Sequence, residues 1–389
     1  MRYEEYKDSG VAWIGEIPSH WEVAAFKRRI SINNGRDYKE FQDDEIYPVM
    51  GSGGCFAYCS RYMYDGEALL LGRKGTIDKP LYINGKFWTV DTMFYAIPNK
   101  DLDCKFAYYL AITFPFNLYS TSTALPSMTQ TDLGNNPVAF PTLVEQQAIA
   151  SYLDKKCGKI NGAIDVQKKK IDLLNELKQT IITNAVTKGL NPNAPMKDSG
   201  VEWIGEIPEH WKIKRTRFLC NIQTGDKDTV NREDDGLYPF YVRSPKVERI
   251  NTYSFDGEAV LMAGDGVGAG KVFHYANGKF DYHQRVYNLH NFKDVSGLFF
   301  YYYILNKFRY IIEEGAAKNT VDSVRLNMIQ DFWMTIPPVS EQQNIVKYID
   351  GEISKIDSQI AKANQRIELL NELKQSIITE AITGKIKVC

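Results

Sequence analysis

The sequence has no long apolar segment. Its longest near-candidate, residues 299–305, covers one strand or two helical turns, whereas a helix that crosses a bilayer needs roughly 18 or more apolar residues. This absence excludes a membrane-spanning helix. The first ten residues also lack a basic segment followed by an apolar stretch, so no secretory signal is predicted and the protein is expected in the cytoplasm.

Cysteine pairs of the kind that bind zinc are also missing. Cys55 and Cys59 are separated by three residues, and no second pair of Cys or His completes a set of four ligands. In a reducing compartment the six cysteines are expected to be free thiols. The sequence therefore predicts no metal site.

Catalytic signatures are absent as well. The glycine-rich run 264–271 has the wrong spacing for a phosphate-binding loop, and Val272 stands where Ser or Thr would bind Mg²⁺. No G-x-S-x-G or H-E-x-x-H occurs. Pro337-Pro338 is preceded by Ile, not by the Asp or Asn with which a DNA adenine methyltransferase holds a flipped base. These absences favour a protein that works by binding, with no cofactor and no catalytic residue.

Charge of one sign is not in excess. The chain carries 47 basic and 48 acidic residues, a net charge of -1. The chain as a whole therefore supplies no field that attracts nucleic acid, and any such contact must come from local patches.

What the chain does contain is one internal repeat. The segment DSGVAWIGEIPSHW at residues 8–21 recurs as DSGVEWIGEIPEHW at residues 198–211, with 12 of 14 positions identical. The segment IDLLNELKQTIITNAVT at residues 171–187 recurs as IELLNELKQSIITEAIT at residues 367–383, with 13 of 17 positions identical. This self-similarity predicts two copies of one structural unit.

Each copy is predicted to be an α+β domain followed by a long helix. Segments rich in β-branched and aromatic residues predict short, mostly antiparallel strands, and Asn84-Gly85 between apolar runs predicts a hairpin turn. Shorter helices are expected at residues 105–113 and 296–306. The predicted sequence of domain, helix, domain and helix divides the chain at residues 1–141, 142–188, 189–337 and 338–389.

A heptad-like apolar pattern predicts the two long helices. Pro141 and Pro337-Pro338 precede them, and Thr142 or Ser340 is expected to cap the helix start. The pattern consists of Ile160, Ile164, Gln167, Ile171, Leu174, Leu177, Ile181 and Ala185, and in the second copy of Ile356, Ile360, Ala363, Ile367, Leu370, Leu373, Ile377 and Ala381. We call this narrow apolar stripe the seam of each long helix. It favours an antiparallel coiled coil of the two helices; the alternative is that each helix lies on its own domain.

Several of these segments carry a family resemblance. They are Trp13-Ile14-Gly15-Glu16-Ile17-Pro18 with its second copy, Glu145-Gln146-Gln147 with Glu341-Gln342-Gln343, the paired Leu-Asn-Glu-Leu-Lys-Gln helices, and the runs 66–75 and 84–91. With them, essentially the whole chain resembles the DNA-specificity subunit of a Type I restriction-modification system. The resemblance implies that each domain reads one half of a split site in double-stranded DNA. It also implies that the long helices act as a spacer and dock two methyltransferase subunits, and that translocase-nuclease subunits complete the restriction enzyme.

The two copies differ most in their loops. Arg73-Lys74-Gly75-Thr76 aligns with Gly264-Asp265-Gly266-Val267, and Gly51-Ser52-Gly53-Gly54 aligns with Val242-Arg243-Ser244-Pro245. Equal frameworks with unequal loops predict a bipartite, asymmetric target.

Candidate DNA-binding residues follow from base and phosphate chemistry. Arg and Lys can bind guanine, Gln can bind adenine, and Asp can accept from cytosine. Candidates of this kind, with their polar neighbours in the diverged loops, are Ser52, Arg73, Lys74, Thr76, Arg243, Lys246, Asp265, Lys271, Gln284 and Arg285. Candidates for phosphate contacts are the basic residues at similar places in both copies, Lys27, Arg28, Arg29, Lys214, Arg215 and Arg217. The polar loops 121–130 and 313–323 are also expected to face DNA, and for any one residue a solvated surface charge is the alternative.

Two other functions stay open from the sequence alone. One is a coiled-coil scaffold without DNA contact, which would not need two β-rich domains with different polar loops. The other is an enzyme with an unrecognised site, for which no convergent acid, base, nucleophile or metal set is visible.

Overall fold

The computed structural model of the chain describes residues 2–42, 45–119, 126–316 and 323–388. These residues form two compact units. Unit 1 consists of Met1–Gln167 and Asn364–Cys389, and unit 2 consists of Lys168–Ala363. Each unit therefore contains the start of one long helix and the end of the other.

Unit 1 is built of ten described strands and three short helices, besides its share of the long helices. The strands are β1 (Tyr6–Asp8), β2 (Glu16–Pro18), β3 (Glu22–Ala25), β4 (Ile30–Asn34), β5 (Tyr47–Gly51), β6 (Gly54–Cys59), β7 (Tyr64–Gly72), β8 (Leu81–Thr89), β9 (Met93–Pro98) and β10 (Pro137–Phe140). The helices are α1 (Cys104–Ile112), α2 (Phe116–Tyr119), α3 (Gln130–Asn135) and the first long helix, α4 (Leu143–Lys188).

Unit 2 repeats this order. Its strands are β11 (Met196–Asp198), β12 (Glu206–Pro208), β13 (Lys212–Arg215), β14 (Asn221–Thr224), β15 (Tyr238–Tyr241), β16 (Glu248–Ile250), β17 (Phe255–Ala263), β18 (Phe273–Tyr282), β19 (Val286–His290) and β20 (Trp333–Ile336). Its helices are α5 (Gly297–Lys307), α6 (Arg309–Ala316), α7 (Leu326–Gln330) and the second long helix, α8 (Val339–Ile382).

The two large sheets have the same topology. Their strand orders are β4-β9-β7-β8-β5-β6 and β14-β19-β17-β18-β15-β16. All neighbours are antiparallel except β5 with β8 and β15 with β18. The α+β class, the tandem repeat and the mostly antiparallel sheets predicted from sequence are confirmed, and the two shorter helices start and end within one residue of prediction.

The hairpin predicted at Asn84-Gly85 is wrong, because both residues lie inside the continuous strand β8. Gly85 pairs with Gly66 across the ladder, and both have positive φ, 113° and 140°. Gly257 and Gly278 repeat this pair in unit 2. Glycine adopts such angles without strain, so here it shapes a long hairpin at mid-strand instead of closing it.

Each unit has its own apolar core under one face of the large sheet. In unit 1, Phe106 and Leu110 of α1 pack with Leu69, Leu71 and Phe94 of the sheet. The same core takes in Trp21 from the repeated segment and three residues from the end of α8, Ile378, Ala381 and Ile382. In unit 2, Trp211 and the end of α4, through Ile182, Ala185 and Val186, take the corresponding places.

The long helices pair antiparallel in each unit. In unit 2, Lys178 of α4 binds Asp357 of α8, with Nζ–O distances of 2.8 and 3.1 Å. In unit 1, Lys374 of α8 donates to Asn161 of α4 at 2.9 Å. The predicted pairing is confirmed, because within each unit the start of one long helix lies beside the end of the other, and that end packs in the unit's own core.

Two details of the long helices differ from prediction. The seam passes through Lys178 and Lys374, while Leu177 and Leu373 are 47% and 49% exposed. Ser340 does not cap α8, because that helix already begins at Val339 after Pro338. Thr142 does cap α4, since its Oγ1 accepts from the Glu145 N–H at 3.4 Å and Glu145 reaches back to the Thr142 N–H at 3.2 Å. Among the described residues, no helix is both long and apolar enough to cross a membrane.

Candidate nucleic-acid interface

Three segments meet at one end of the large sheet of unit 1. They are the loop that starts at Arg73, the turn between β8 and β9, and residues 126–128. The Arg73 N–H donates to the Thr92 carbonyl at 2.8 Å, and the Met128 N–H donates to the Arg73 carbonyl at 2.9 Å. Lys74 forms an isolated bridge with Ser127. We call these three segments the loop face of unit 1.

The loop face of unit 2 has the same backbone contacts. The Gly264 N–H donates to the Arg285 carbonyl at 2.8 Å, and the Val324 N–H donates to the Gly264 carbonyl at 2.7 Å. Asp265 forms the bridge with Ser323. Asp265 therefore stands where unit 1 has Lys74, and Arg285 stands where unit 1 has Thr92. The two loop faces therefore share their backbone contacts but carry different side chains at equivalent positions.

The side chains on the loop face of unit 1 include one cation fixed by its neighbours and one that extends outward. Arg73 Nη1 donates to the Asp91 carbonyl at 3.3 Å, and its guanidinium lies 5.9 Å from the centre of the Phe94 ring. Lys74 is exposed. Thr76 is half-buried, with its carbonyl turned toward Gly72. The pair Arg73 and Lys74 gives this face positive charge.

The side chains on the loop face of unit 2 form a connected cluster. Asp265 lies between two arginines, with its Oδ1 2.9 Å from Arg243 Nη1 and its Oδ2 3.5 Å from Arg285 Nε. Gln284 Nε2 donates to Asp228 at 2.8 Å. A cavity of about 270 Å³ opens here, lined by Thr224, Gly264, Asp265, Gln284, Arg285, Tyr287, Ser323, Val324 and Arg325. Four residues predicted separately from sequence, Arg243, Asp265, Gln284 and Arg285, thus lie together.

Other predicted base-contacting residues lie apart from this cluster. Lys246 lies in the loop between β15 and β16, and its Nζ is 3.4 Å from a carboxylate oxygen of Glu248 at the start of β16. Lys271 is exposed on the turn before β18. Ser52 is half-buried at the β5–β6 turn. Of the polar loops 121–130 and 313–323, residues 121–125 and 317–322 lie outside the described part, whereas Ser127 and Ser323 belong to the loop faces.

Sequence reasoning missed His283, which is 2% exposed and immediately precedes Gln284. Its Nδ1 accepts from the Arg285 N–H at 2.9 Å. Burial, together with the Arg243 guanidinium, lowers the pKa of this imidazole from its usual value, so the neutral form that can accept is favoured. A lone His before a Gln-Arg turn carries no sequence signal for this role, because the contact depends on how the turn folds back.

Part of the predicted phosphate-contacting set is held in ion pairs. In unit 1, Lys27 and Arg28 are exposed, while Arg29 binds Glu22 and Asp101, each at 2.6 Å. In unit 2, Lys214 binds Asp294 at 2.6 Å, and both Arg215 and Arg217 bind Asp331. In these pairs a neighbouring carboxylate partly neutralises the basic side chain. Lys27 and Arg28 are exposed and have no such ion pair among the described residues.

The repeated Glu-Gln-Gln motif has a structural role in both units. Glu145 binds His20 at 2.9 Å, and Glu341 binds His210 at 2.8 Å. Gln146 is fully buried, donates to the Asp101 and Pro141 carbonyls, and accepts from the Asp103 N–H. Gln342 makes the corresponding three bonds with Asp294, Pro337 and Ser296. The motif therefore joins the start of each long helix to the domain before it.

Exposed leucines form an apolar patch on each long helix. Leu173 and Leu177 lie four residues apart on α4, and Leu369 and Leu373 lie at the equivalent places on α8. All four are about half exposed or more. Within the part of the chain that the structure describes, no group of His, Cys, Asp and Glu side chains could hold a metal ion.

Comparison with protein families matches most of the chain. The model of the "Type I restriction modification DNA specificity domain" family matches residues 18–181 and 208–371, so one copy falls on each repeat.

Comparison with individual proteins gives the same family. The chain is 30% identical over 182 residues to the Type I restriction enzyme EcoDI specificity subunit of Escherichia coli, which covers 47% of this chain and 40% of that protein. It is 26% identical over 283 residues to the putative Type I restriction enzyme MjaX specificity subunit of Methanocaldococcus jannaschii, covering 67% and 62%. The chain thus spans about two fifths to three fifths of the length of these relatives.

A solved structure shares the fold along nearly the whole chain. It comes from work on the structural basis underlying complex assembly and conformational transition of the type I R-M system. It superposes with a TM-score of 0.71 at 16% identity, and covers 95% of this chain and 99% of the other.

Proposed function

Because the chain belongs to the Type I restriction-modification DNA specificity family, we propose that it is a non-catalytic, sequence-reading subunit. In this proposal each loop face reads one half of an asymmetric, bipartite target in double-stranded DNA. The protein needs no cofactor of its own and acts in the cytoplasm, where its DNA is.

The observation that supports this proposal is the contrast between backbone and side chains at the loop faces. The same three segments meet in both units through the same hydrogen bonds. At equivalent positions, unit 1 presents Lys74 and Thr92, whereas unit 2 presents Asp265 and Arg285. A common backbone with different donors and acceptors suits the recognition of two different base sequences, because base edges are told apart by their donor and acceptor patterns.

We further propose that the exposed leucine pairs of α4 and α8 dock two methyltransferase subunits. The two pairs occupy equivalent places in the repeat, as expected if two copies of one partner bind. Exposed apolar side chains clustered on a helix are typical of protein interaction sites. Translocase-nuclease subunits would then join through this assembly to complete a restriction enzyme.

The reading function is tested with the chain assembled with its methyltransferase subunits in a host that lacks other DNA modification. Sequencing of the modified bases should give one motif in two unequal parts, separated by unread base pairs. A mobility assay at stated salt should show the same preference in the chain's binding to duplexes. Binding without any sequence preference would favour the scaffold alternative, and modification by the purified chain alone would favour an enzyme.

The docking surface is tested by Leu177→Glu together with Leu373→Glu. Both side chains are half exposed, so the variant should fold as the wild type does while its retention of methyltransferase subunits on size exclusion falls. Phe218→Glu, at a residue that is 64% exposed and distant in sequence from the long helices, is the matched control and should keep the partner. Full retention by the double variant would remove the leucine pairs from the docking surface.

A further inference from the structure

We propose that Arg285 reads a guanine in the half-site of unit 2, and that Asp265 and His283 hold it in position for this contact. The inference rests on the proposed function, and it assigns different roles to residues that the sequence treats alike.

Arg285 has the free atoms that guanine recognition requires. Its side chain is 64% exposed, and its nearest approach to Asp265 is through Nε, 3.5 Å from Oδ2. Within the described residues, neither terminal nitrogen of Arg285 has a hydrogen-bond partner. These two nitrogens form the fork that can donate to guanine O6 and N7 together in the major groove.

Arg243 is less suited to the same contact. It donates through Nη1 to Asp265 at 2.9 Å, so one arm of its fork is already occupied. Asp265 is occupied too, since each carboxylate oxygen faces one arginine and its side chain is only 24% exposed. Asp265 therefore acts as an orienting group for the arginines and not as an acceptor for cytosine.

His283 fixes the backbone that carries Arg285. The imidazole Nδ1 accepts from the Arg285 N–H at 2.9 Å, while the Gln284 N–H donates to the Lys227 carbonyl at 2.8 Å. The side chain is buried, and its Nε2 lies 3.9 Å from Asp228. The turn is thus held from both sides before any DNA binds, which reduces the ordering cost of the contact.

Unit 1 lacks every part of this arrangement. Val90, Lys74 and Thr92 occupy the places of His283, Asp265 and Arg285, as the equivalent backbone hydrogen bonds and bridges show. The guanine contact is therefore expected in one half-site only.

The first test is the modified motif of the full complex. With Arg285→Ala, one G·C position in one half of the motif should become degenerate, with a loss of preference for guanine of about 5- to 150-fold. His283→Val should weaken the preference for guanine at the same position of the motif. His283→Asn should restore it, because the Asn Oδ1 can accept the Arg285 N–H as Nδ1 does. Lys293→Ala removes one positive charge beyond the other end of β19 and should leave the motif unchanged.

The second test identifies the contacted atom. Replacing that guanine by 7-deazaguanine in a duplex removes the N7 acceptor, and should weaken binding by the wild-type complex but not further weaken binding by the Arg285→Ala complex. A bipartite motif that Arg285→Ala leaves intact would overturn the inference while leaving the proposed function standing. So would a His283→Asn variant that behaves like His283→Val. A wild-type complex with no bipartite motif would overturn the proposed function itself, and this inference with it.

Discussion

Unit 1 and unit 2 are alike in what folds them and different in what they present. Trp21 and Trp211 are both fully buried, and Gln146 and Gln342 make the same three hydrogen bonds. At the loop faces the charges differ, with Lys74 in one unit and Asp265 in the other. The comparison indicates that framework residues fix the position of the loop face, so that its side chains can differ between the units.

The histidines sharpen the same comparison. His274, His283 and His290 of unit 2 occupy the strand positions of Leu81, Val90 and Ile97 in unit 1. Burial lowers the pKa of all three imidazoles. Unit 2 therefore has three buried or half-buried titratable side chains at positions where unit 1 has apolar ones, so the stability of the two units is expected to respond differently to pH.

The largest expected effect is on the shared framework. Trp21→Ala and Trp211→Ala should each lower the free energy of unfolding by about 3–5 kcal/mol, because each removes a large, fully buried ring from a core. Urea unfolding followed by circular dichroism measures this. Phe218→Ala, at an exposed ring, should change it by less than about 0.5 kcal/mol. If one Trp proved dispensable and the other did not, the units would not share one framework.

The next largest effect is on the pH dependence of the free energy of unfolding. In the folded state the three histidines resist protonation, so below a pH of about 6.5 the unfolded chain binds more protons and stability is lost as pH falls. His283 faces Arg243 and Arg285, which add to this resistance, and Asp228 and Asp265, which oppose it. The variant with His274→Leu, His283→Val and His290→Ile, which copies unit 1, should lose less stability than the wild type between pH 7.5 and 5.5. Equal losses in thermal or urea unfolding would show that these imidazoles are not the source.

The smallest effect concerns the helix seam. Lys178 and Lys374 occupy equivalent positions, yet Lys178 binds a carboxylate and Lys374 binds an amide. The Lys178–Asp357 pair is partly exposed, so Lys178→Met should change the free energy of unfolding by less than about 1 kcal/mol. The effect should diminish further in high salt, whereas Lys374→Met should show little salt dependence. A strong salt dependence of both variants would contradict this difference.

Much of the fold was predictable from sequence because the repeat doubles each signal. The heptad pattern, the Pro before the long helix and the shorter helix after the large sheet each appear once in each copy, and the pairing of the long helices follows from the heptad pattern. The mistakes came from local signals that tertiary structure overrides. Asn84-Gly85 reads as a turn, but opposed glycines place it inside a strand. Leu177 is more apolar than Lys178, yet Lys178 occupies the regular heptad position. Its aliphatic side chain lies along the seam, and its ammonium group binds Asp357.

The candidate site was less predictable for a physical reason. Arg243, Asp265 and Arg285 are about 20 residues apart in sequence, and the pairing of β15 with β18 together with the β17–β18–β19 register brings them together. The proposed choice of Arg285 over Arg243 as the reading group depends on which nitrogen each arginine directs at Asp265. Burial of His283 and its acceptor role arise only when the turn has folded. Composition and spacing carry none of this information.

The central claim, that each unit reads its own half-site, is tested most directly by exchanging one loop. Residues 73–76 of unit 1 are replaced by the aligned Gly264-Asp265-Gly266-Val267, and the motif modified by the complete complex is sequenced. The account predicts that one half of the motif changes or becomes degenerate, while the other half and the number of unread base pairs between them stay as they were. A change in both halves, or an unchanged motif from a folded and active complex, would contradict it.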